Sequence, residues 1–271
     1  MVKLMDLLTE GVYDKGIFKA VFMAGGPGSG KTFMSSKLFG IPEKATTSIT
    51  GLKVVNSDKQ FMHILTKFGF DPTQLAHYPD ELFSQLSDPV GTGEGTGLRN
   101  FAQDIKNAER DGYMNGKLGM IIDSTGSNFK KVRKMKQSLE KAGYDTHMVF
   151  VMTSLETALK RNKERAEKGD RELPADIVKK SWKASRKNMG GLKALFGKDF
   201  ELVHNDKFLN PKEARHKFSS LVKTVADPWI KGTIKNPIGQ QWVKDMLRLK
   251  NAGLDKGVVI PDPKRSKGVG Y

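Results

Sequence analysis

The stretch 19–33, KAVFMAGGPGSGKTF, restricts the choice of fold more than any other part of the chain. An apolar run leads into glycines and then into a lysine–threonine pair that opens a helical pattern. It matches G-x-x-x-x-G-K-[ST], with Gly25, Gly30, Lys31 and Thr32 at the fixed positions. Glycines let the backbone curl around an anion, so that its N–H groups converge on phosphate at a helix N-terminus. The pattern predicts a nucleoside-triphosphate site on a strand–loop–helix unit.

Two side chains of this loop carry predicted chemistry. Lys31 offers a positive charge to the β- and γ-phosphates, and the Thr32 hydroxyl is a ligand for Mg²⁺. ATP and Mg²⁺ are therefore the expected cofactors. The residues predicted to hold the nucleotide are Gly25, Gly26, Pro27, Gly28, Ser29, Gly30, Lys31 and Thr32.

Composition limits the class of protein and its partners. The absence of cysteine excludes a disulfide framework, a thiolate zinc site and a cysteine nucleophile. The first residues, with Asp6 and Glu10, do not have the layout of a signal peptide, and no apolar run reaches membrane-spanning length. We expect a cytoplasmic protein without a membrane partner. A net charge of +16 favours a polyanionic partner such as nucleic acid, although a solvated lysine-rich surface would give the same composition.

Alternation of apolar strands and helical patterns predicts an α/β fold of the P-loop NTPase type, with a five-stranded parallel sheet flanked by helices. The strands are predicted at 17–24, 52–56, 118–122, 147–152 and 199–204. A kinase domain is expected over 1–205, containing a helical acceptor-binding insertion at 61–117 and a lid at 154–189. Basic C-terminal helices and a flexible tail follow over 206–271.

Several further elements are predicted from helical spacing and from glycine and proline positions. A short helix is expected at 2–15 and a mobile connector at 91–97. The helix after Pro174 is expected to run to about Met189. In the C-terminal part, helices are expected at 211–225 and 240–251, with a break around 228–237 because proline interrupts a helix.

Asp58 and Asp123 each follow a predicted strand, at the sheet edge where ligands of parallel sheets bind. One carboxylate can prepare an acceptor hydroxyl while the other orients Mg²⁺ through its water ligands. The position of Asp58 at the start of a helix facing the insertion favours it as the base. The alternative for either residue is a simple helix cap.

Arg161, Arg165 and Arg171 lie at the end of one predicted helix and in the loop after it. Arg161 and Arg165 are four residues apart and share a helix face. An anionic partner such as a nucleotide phosphate explains this concentration of charge. The alternative is a solvated basic helix, with Glu164 and Glu167 as local partners.

Four blocks, GGPGSGKT, VVNSD, IIDSTGSN and ALKRNKERAEKGDRELP, resemble the P-loop kinases that group phage polynucleotide 5′-hydroxyl kinases with zeta-toxin sugar-nucleotide kinases. The resemblance covers about 17–205. It implies that Asp58 is the base and that Asp123 and Thr125 contact substrate or metal. It also implies that the lid arginines, Arg161, Arg165 and Arg171, clamp the ATP phosphates. The distribution of these kinases suggests a phage origin.

One position departs from the resemblance. Polynucleotide kinases of this group place an arginine three residues beyond the base, where this chain has Phe61. The expected function is transfer of the γ-phosphate to a hydroxyl of a nucleic acid or nucleotide-type acceptor, either a 5′-hydroxyl end or a hydroxymethyl base in DNA. The alternatives are a zeta-toxin-like UDP-sugar kinase and a nucleic-acid-binding P-loop ATPase without kinase activity. The oligomeric state is left open.

Overall fold

The computed structural model describes residues 12–42, 45–87, 97–206 and 211–253. Most of the helix predicted at 2–15, nearly all of the connector predicted at 91–97, and the tail from residue 254 onward lie outside the described residues. In the part of the chain that is described, no helix combines the length and apolar character needed to cross a membrane.

The sheet has five strands in the order β2-β3-β1-β4-β5, and each neighbouring pair is parallel. The strands are β1 Lys19–Ala24, β2 Lys53–Val55, β3 Met120–Asp123, β4 Asp145–Met152 and β5 Phe200–His204. Each lies within about two residues of its predicted position. The α/β P-loop fold with a five-stranded parallel sheet is thereby confirmed. Because all strands run the same way, the residues that follow β1, β2 and β3 meet at one edge of the sheet.

Helices cover both faces of the sheet. They are α1 Lys31–Phe39, α2 Asp58–Lys67, α3 Asp80–Ser87, α4 Leu98–Asn115, α5 Phe129–Lys141, α6 Leu155–Glu167, α7 Ala175–Phe196, α8 Pro211–Leu221, α9 Asp227–Lys231 and α10 Pro237–Asn251. Short 3₁₀ turns occupy Pro72–His77 and Gly197–Asp199. Two buried clusters lie on the two faces of the sheet, because every side chain of the central strand β1 is buried.

The described part of the segment between β2 and β3, residues 56–87 and 97–119, is mainly helical and has a small core of its own. Phe61 and Leu65 of α2, Leu75 of the 3₁₀ turn, and Ala102 of α4 are fully buried together. This cluster is separate from the two that cover the sheet. The insertion is thus an ordered layer beside the ligand edge of the sheet, which places α2 and α4 within reach of the phosphate loop.

Helix α7 is longer than predicted. It continues through Gly190 and Gly191 to Phe196, whereas the sequence pattern indicated an end near Met189. Each glycine inside a helix costs about 1 kcal/mol relative to alanine, and burial of Leu192 and Phe196 offsets this cost. Gly191 is also packed against a neighbour, since a Cβ there would lie 3.2 Å from the Phe129 ring.

The break predicted around 228–237 begins later than expected. Residues Val222–Ala226 form a π-helical turn between α8 and α9, and the chain stays helical through Pro228 to Lys231. Pro228 lies in the first turn of α9, directly after the π-helical turn, where the regular i→i−4 hydrogen-bond pattern is already interrupted. Ala226 and Ile230 are buried in the cluster that also contains side chains of α1.

The turn before α10 is fastened to the sheet by a buried carboxylate. Asp145 accepts hydrogen bonds from the backbone N–H of Lys235 (3.0 Å) and of Asn236 (2.9 Å). It also pairs with the ammonium of Lys19 at 2.8 Å, and both side chains are buried. On α10 itself, Trp242 packs edge-on against Phe18 at 5.4 Å. The described C-terminal helices therefore pack against the same core as the sheet.

Candidate active site

The phosphate loop joins the carboxyl end of β1 to the first residue of α1. Gly30 caps α1 in the left-handed region with φ 85°, and Gly28 has φ 73°. A Cβ on Gly28 would lie 2.2 Å from the carbonyl oxygen of Ala158, and one on Gly30 would lie 2.4 Å from Nδ2 of Asn205. Both positions therefore require glycine, and the loop leads directly into the N-terminus of α1, the part of a helix that binds anions.

Lys31 lies across this loop. Its Nζ donates to the carbonyl oxygens of Gly25 (2.9 Å) and Gly26 (3.4 Å) and lies 4.0 Å from Oδ1 of Asp123. Thr32, the next residue, is exposed at the start of α1. A loop without bulky side chains, a lysine held at its mouth and an exposed hydroxyl fit a nucleoside triphosphate with Mg²⁺.

Asp123 ends β3 next to Lys31. Its Oδ2 accepts a hydrogen bond from Nδ2 of Asn56 at 3.0 Å, and within the described chain its buried Oδ1 accepts none. Burial raises the pKa of Asp123, the nearby charge of Lys31 opposes this rise, and the carboxylate of Asp58 adds to it. A buried carboxylate oxygen of this kind suits a metal-bound water or an acceptor hydroxyl.

Asp58 is the first residue of α2 and lies between two guanidiniums. Its Oδ1 is 2.9 Å from Nη1 of Arg99 and 2.8 Å from Nη2 of Arg171. Burial alone would raise the pKa of Asp58, but the charges of Arg171 and Arg99 outweigh burial and hold that pKa well below its usual range. Asp58 is therefore ionised at neutral pH.

The ring of Phe61 supports this arrangement. Phe61 is fully buried, and the guanidinium carbons of Arg99 and Arg171 lie over its face at 5.1 and 5.6 Å from the ring centroid. Contacts of this kind between a cation and an aromatic face are favourable. The aromatic residue at this position therefore helps to orient the two guanidiniums that bind Asp58.

The three lid arginines have different neighbours. Arg171 contacts Asp58, whereas Arg165 pairs with Asp170 through Nε at 2.9 Å and Nη2 at 2.5 Å. Nη1 of Arg161 lies 3.7 Å from the place that a Cβ on Gly30 would occupy, beside the phosphate loop. The structure thus brings Arg161 to the loop and Arg171 to the acid. Their predicted role as phosphate clamps stays a prediction.

Thr125 belongs to the turn after β3, which is fastened on two sides. Its hydroxyl contacts that of Ser127 at 2.6 Å, and its carbonyl oxygen accepts from Gly25 N (3.3 Å) and from the hydroxyl of Ser185 on α7 (2.7 Å). Trp182, also on α7, donates its indole N–H to the carbonyl oxygen of Thr153 at 2.9 Å. These contacts place α7 against the turn that carries Thr125 and the end of β4. Helix α7 also lies against the phosphate loop, since a Cβ on Gly26 would be 3.2 Å from Cα of Trp182.

Three residues of this site were missed by sequence reasoning. Asn56 donates to Asp123 and accepts from the backbone N–H of Asp58 at 2.8 Å, so it links the two acids. Arg99 binds Asp58, and Asn205 donates to the carbonyl oxygen of Ser29 at 2.8 Å. Asn56 had a usable signal, since it stands between β2 and Asp58, but Arg99 and Asn205 reach the site only through the tertiary fold.

Comparison with known families identifies the domain that carries this loop. The model of the AAA_33 family, described as an AAA domain, matches residues 21–192, which include the phosphate loop, both acids and the three lid arginines. The chain belongs to the AAA_33 family. No curated protein matches it.

Several solved structures resemble this chain at low sequence identity. A chain of the Pnkp1/Rnl/Hen1 RNA repair complex is 17% identical with a TM-score of 0.45, over 65% of this chain and 46% of that one. This AAA_33 chain thus spans under half the length of that protein. A chain of the PezAT toxin–antitoxin system of Streptococcus pneumoniae is 16% identical (TM-score 0.44, 90% and 91% covered). Shikimate kinase from Acinetobacter baumannii is 11% identical (TM-score 0.34, 90% and 98% covered).

Proposed function

We propose that this AAA_33 protein is an ATP- and Mg²⁺-dependent kinase that transfers the γ-phosphate to a hydroxyl of a nucleic acid or nucleotide-type acceptor. The observation that carries the proposal is the meeting of Lys31, Asp123 and Asp58 at one sheet edge, with Lys31 Nζ 4.0 Å from Asp123 Oδ1 and the two acids bridged by Asn56. Phosphoryl transfer needs a held triphosphate, cations near the transferring group and a positioned hydroxyl.

Each group has a role that its surroundings support. The loop N–H groups and Lys31 would bind the phosphates, and Thr32 would hold Mg²⁺, which would supply positive charge beside them. Asp58 would orient the acceptor hydroxyl and take its proton as the hydroxyl oxygen bonds to the γ-phosphorus and ADP leaves. Asp123 would hold a metal-bound water. Arg161, beside the loop, balances charge that develops on the transferring group.

The low pKa of Asp58 is compatible with this role. In a loose transition state the acceptor hydroxyl loses its proton late, so an ionised carboxylate that orients the hydroxyl is sufficient and a strong base is not required. Asp123, whose pKa is raised, is the alternative proton acceptor. The net charge of +16 supports a polyanionic acceptor over a small one.

The test is transfer of labelled γ-phosphate from ATP to a panel of acceptors: 5′-hydroxyl DNA and RNA, hydroxymethyl-base DNA, nucleosides and UDP-sugars. We expect transfer to at least one nucleic-acid or nucleotide-type acceptor. Transfer to UDP-sugars alone would replace the proposal by a zeta-toxin-like activity. Release of ADP with no labelled acceptor would replace it by an ATPase.

Asp58→Asn tests the role of the acid. We expect this variant to keep ATP binding and to lose transfer by about 10²- to 10⁴-fold, the range for a positioned general base. Asp227→Asn, which alters an exposed carboxylate paired with Lys231, is the matched control and should keep full activity. Undiminished transfer by Asp58→Asn would remove Asp58 from the mechanism.

A further inference from the structure

A basic groove with a volume of about 460 Å³ lies between α4 and α5, outside the site described above. Its polar lining consists of Arg110 from α4 together with Asn128, Lys130, Lys131, Lys134 and Ser138 from α5 and its N-cap. None of the described residues that line it is a carboxylate. Four cations therefore face one recess. Asp111 already compensates the charge of Arg110, so an anionic ligand would chiefly relieve the repulsion among the three lysines.

The position of Arg110 in the groove is fixed by its neighbours. Its Nε and Nη2 donate to Oδ1 of Asp111 at 2.9 and 2.7 Å, and its Nη1 donates to Oδ1 of Asn107 at 3.1 Å. The three lysines, by contrast, are exposed. Lysine carries its charge on a flexible stem, so three exposed lysines beside one hydrogen-bonded guanidinium can contact phosphates at several positions along a strand.

A row of cations on α4 connects this groove with Asp58. Arg99, Lys106 and Arg110 lie at helical spacing on one face of α4, and Arg99 contacts Asp58. From Arg99 to Arg110 the helix rises by about 16 Å, at 1.5 Å per residue. Lys106 lies between the ends: burial and the charges of Lys131 and Arg99 lower its pKa, while Asp123 and Asp58 oppose that fall.

The length and the charge of this path decide what it binds. A nucleotide or sugar acceptor would be held entirely at Asp58 and Asp123, and it would not reach cations about 16 Å away. The volume of the recess, about 460 Å³, lies in the range of small-ligand pockets and leaves room for a short stretch of one strand. A single strand carries phosphates at regular intervals and matches a row of cations without needing base-specific contacts.

We propose that the groove between α4 and α5 binds the backbone phosphates of a single-stranded nucleic acid whose hydroxyl end lies at Asp58 and Asp123. This inference rests on the proposed function for the reaction at that end. It adds the class of acceptor and the surface that holds it.

The test compares two charge reversals of equal size. Lys130→Glu/Lys134→Glu changes two groove lysines one helical turn apart, and Lys244→Glu/Arg248→Glu changes two exposed cations of α10 at the same spacing. The groove pair lies near the start of α5, where carboxylates favour the helix dipole, so the fold is retained. Binding of a fluorescent 12-nucleotide DNA is measured between about 50 and 300 mM salt, and a fluorescent ATP analogue reports that each variant is folded.

We expect the groove variant to bind the strand about tenfold or more weakly, with a salt slope shallower by about 1.4, because each phosphate contact to a single strand contributes about 0.7. The α10 variant should keep the wild-type slope, because its two cations lie outside the groove. It loses the same net charge as the groove variant, so a difference between the two reports where the charge lies. Equal slopes and equal affinities for the two variants would overturn the inference. Displacement of the strand by polyglutamate as readily as by unlabelled DNA would overturn it in favour of acidic polymers in general.

Failure of this inference is distinguishable from failure of the proposed function. Wild-type protein that binds the strand through the groove but transfers phosphate to no acceptor would refute the kinase while supporting the groove. If the wild-type protein phosphorylates a nucleotide acceptor but no longer strand, and Lys130→Glu/Lys134→Glu leaves the KM for that acceptor unchanged, the kinase is supported and the groove is refuted.

Discussion

Replacing Arg99 by glutamine separates the two carboxylates that are candidates for accepting the proton. Arg99 Nη1 lies 2.9 Å from Asp58 Oδ1, which puts the charge centres about 4 Å apart. At an effective dielectric constant of about 20 the attraction is about 4 kcal/mol, or about three pH units at 1.36 kcal/mol each. The side chain of Asp58 is 31% exposed, so water reduces this figure. We expect Arg99→Gln to raise the pKa of Asp58 by about one to three pH units.

Lys106→Gln is the matched variant for the other acid. The charge of Lys106 is among the largest that lower the pKa of Asp123. The largest charges that act on Asp58 are those of Arg171, Arg99 and Arg165, although Asp58 and Lys106 also interact. Removing Lys106 therefore raises the pKa of Asp123 further and changes that of Asp58 less than removing Arg99 does.

The assay is the pH dependence of kcat/KM for phosphoryl transfer, which reports the essential groups of the free enzyme. If Asp58 must be ionised, Arg99→Gln loses activity at a pH about one to three units higher than wild type does, and Lys106→Gln shifts the acid limb less. If Asp123 is the essential base, the two variants exchange behaviour. An acid limb that is identical in wild type and both variants would refute the electrostatic reasoning for both acids.

Three further predictions concern nucleotide binding and stability. Lys31→Met should lose most affinity for a fluorescent ATP analogue by titration, because its ammonium is the cation at the mouth of the loop. Asp145→Asn should lower the free energy of unfolding in urea by about 3–5 kcal/mol, since it removes the charge that pairs with the buried ammonium of Lys19. Asp227→Asn is the control: its ion pair with Lys231 is exposed, so its free energy of unfolding should fall by less than about 1 kcal/mol. Burial and the charge of Lys19 lower the pKa of His147 to about 4, although the charge of Asp199 opposes this. The unfolded chain therefore binds a proton at a higher pH than the folded protein does, and stability should fall as the pH is lowered from about 6.5 to 4. His147→Phe, measured by thermal unfolding, should remove that dependence.

Much of the frame of this site could be predicted from the sequence. The glycine pattern before Lys31 is a local requirement of backbone conformation, so it can be read directly from neighbouring residues. Asp58 and Asp123 follow apolar strands, and parallel strands end at one edge, so their proximity followed from topology. The end of α7 could not be predicted because Gly190 and Gly191 indicate a helix end locally, whereas the burial of Leu192 and Phe196 in the tertiary fold continues the helix.

Arg99 is the clearest case of what the sequence could not supply. It stands 41 residues after Asp58, on a helix whose apolar spacing predicts only which face is buried. Helical periodicity does not say which residue lies opposite that face. The cluster of Asp58, Arg99 and Phe61 depends on how α4 packs on α2, and the residues between them do not encode this locally.

The contacts of Arg171 also depend on tertiary packing, and they affect the chemistry of the site. Its place in the lid pattern predicts a phosphate contact, while the fold buries its side chain, 9% exposed, between Asp58 and the ring of Phe61. A buried guanidinium costs free energy unless a carboxylate compensates it, so Asp58 stabilises Arg171 as much as Arg171 ionises Asp58. Asp58→Asn leaves the buried charge of Arg171 uncompensated and Arg171→Ala removes that charge, so each variant changes the stability of the fold together with the proposed catalytic acid. Arg99→Gln keeps the contact between Asp58 and Arg171, and for that reason its pH profile separates the role of the acid in transfer from its role in the fold.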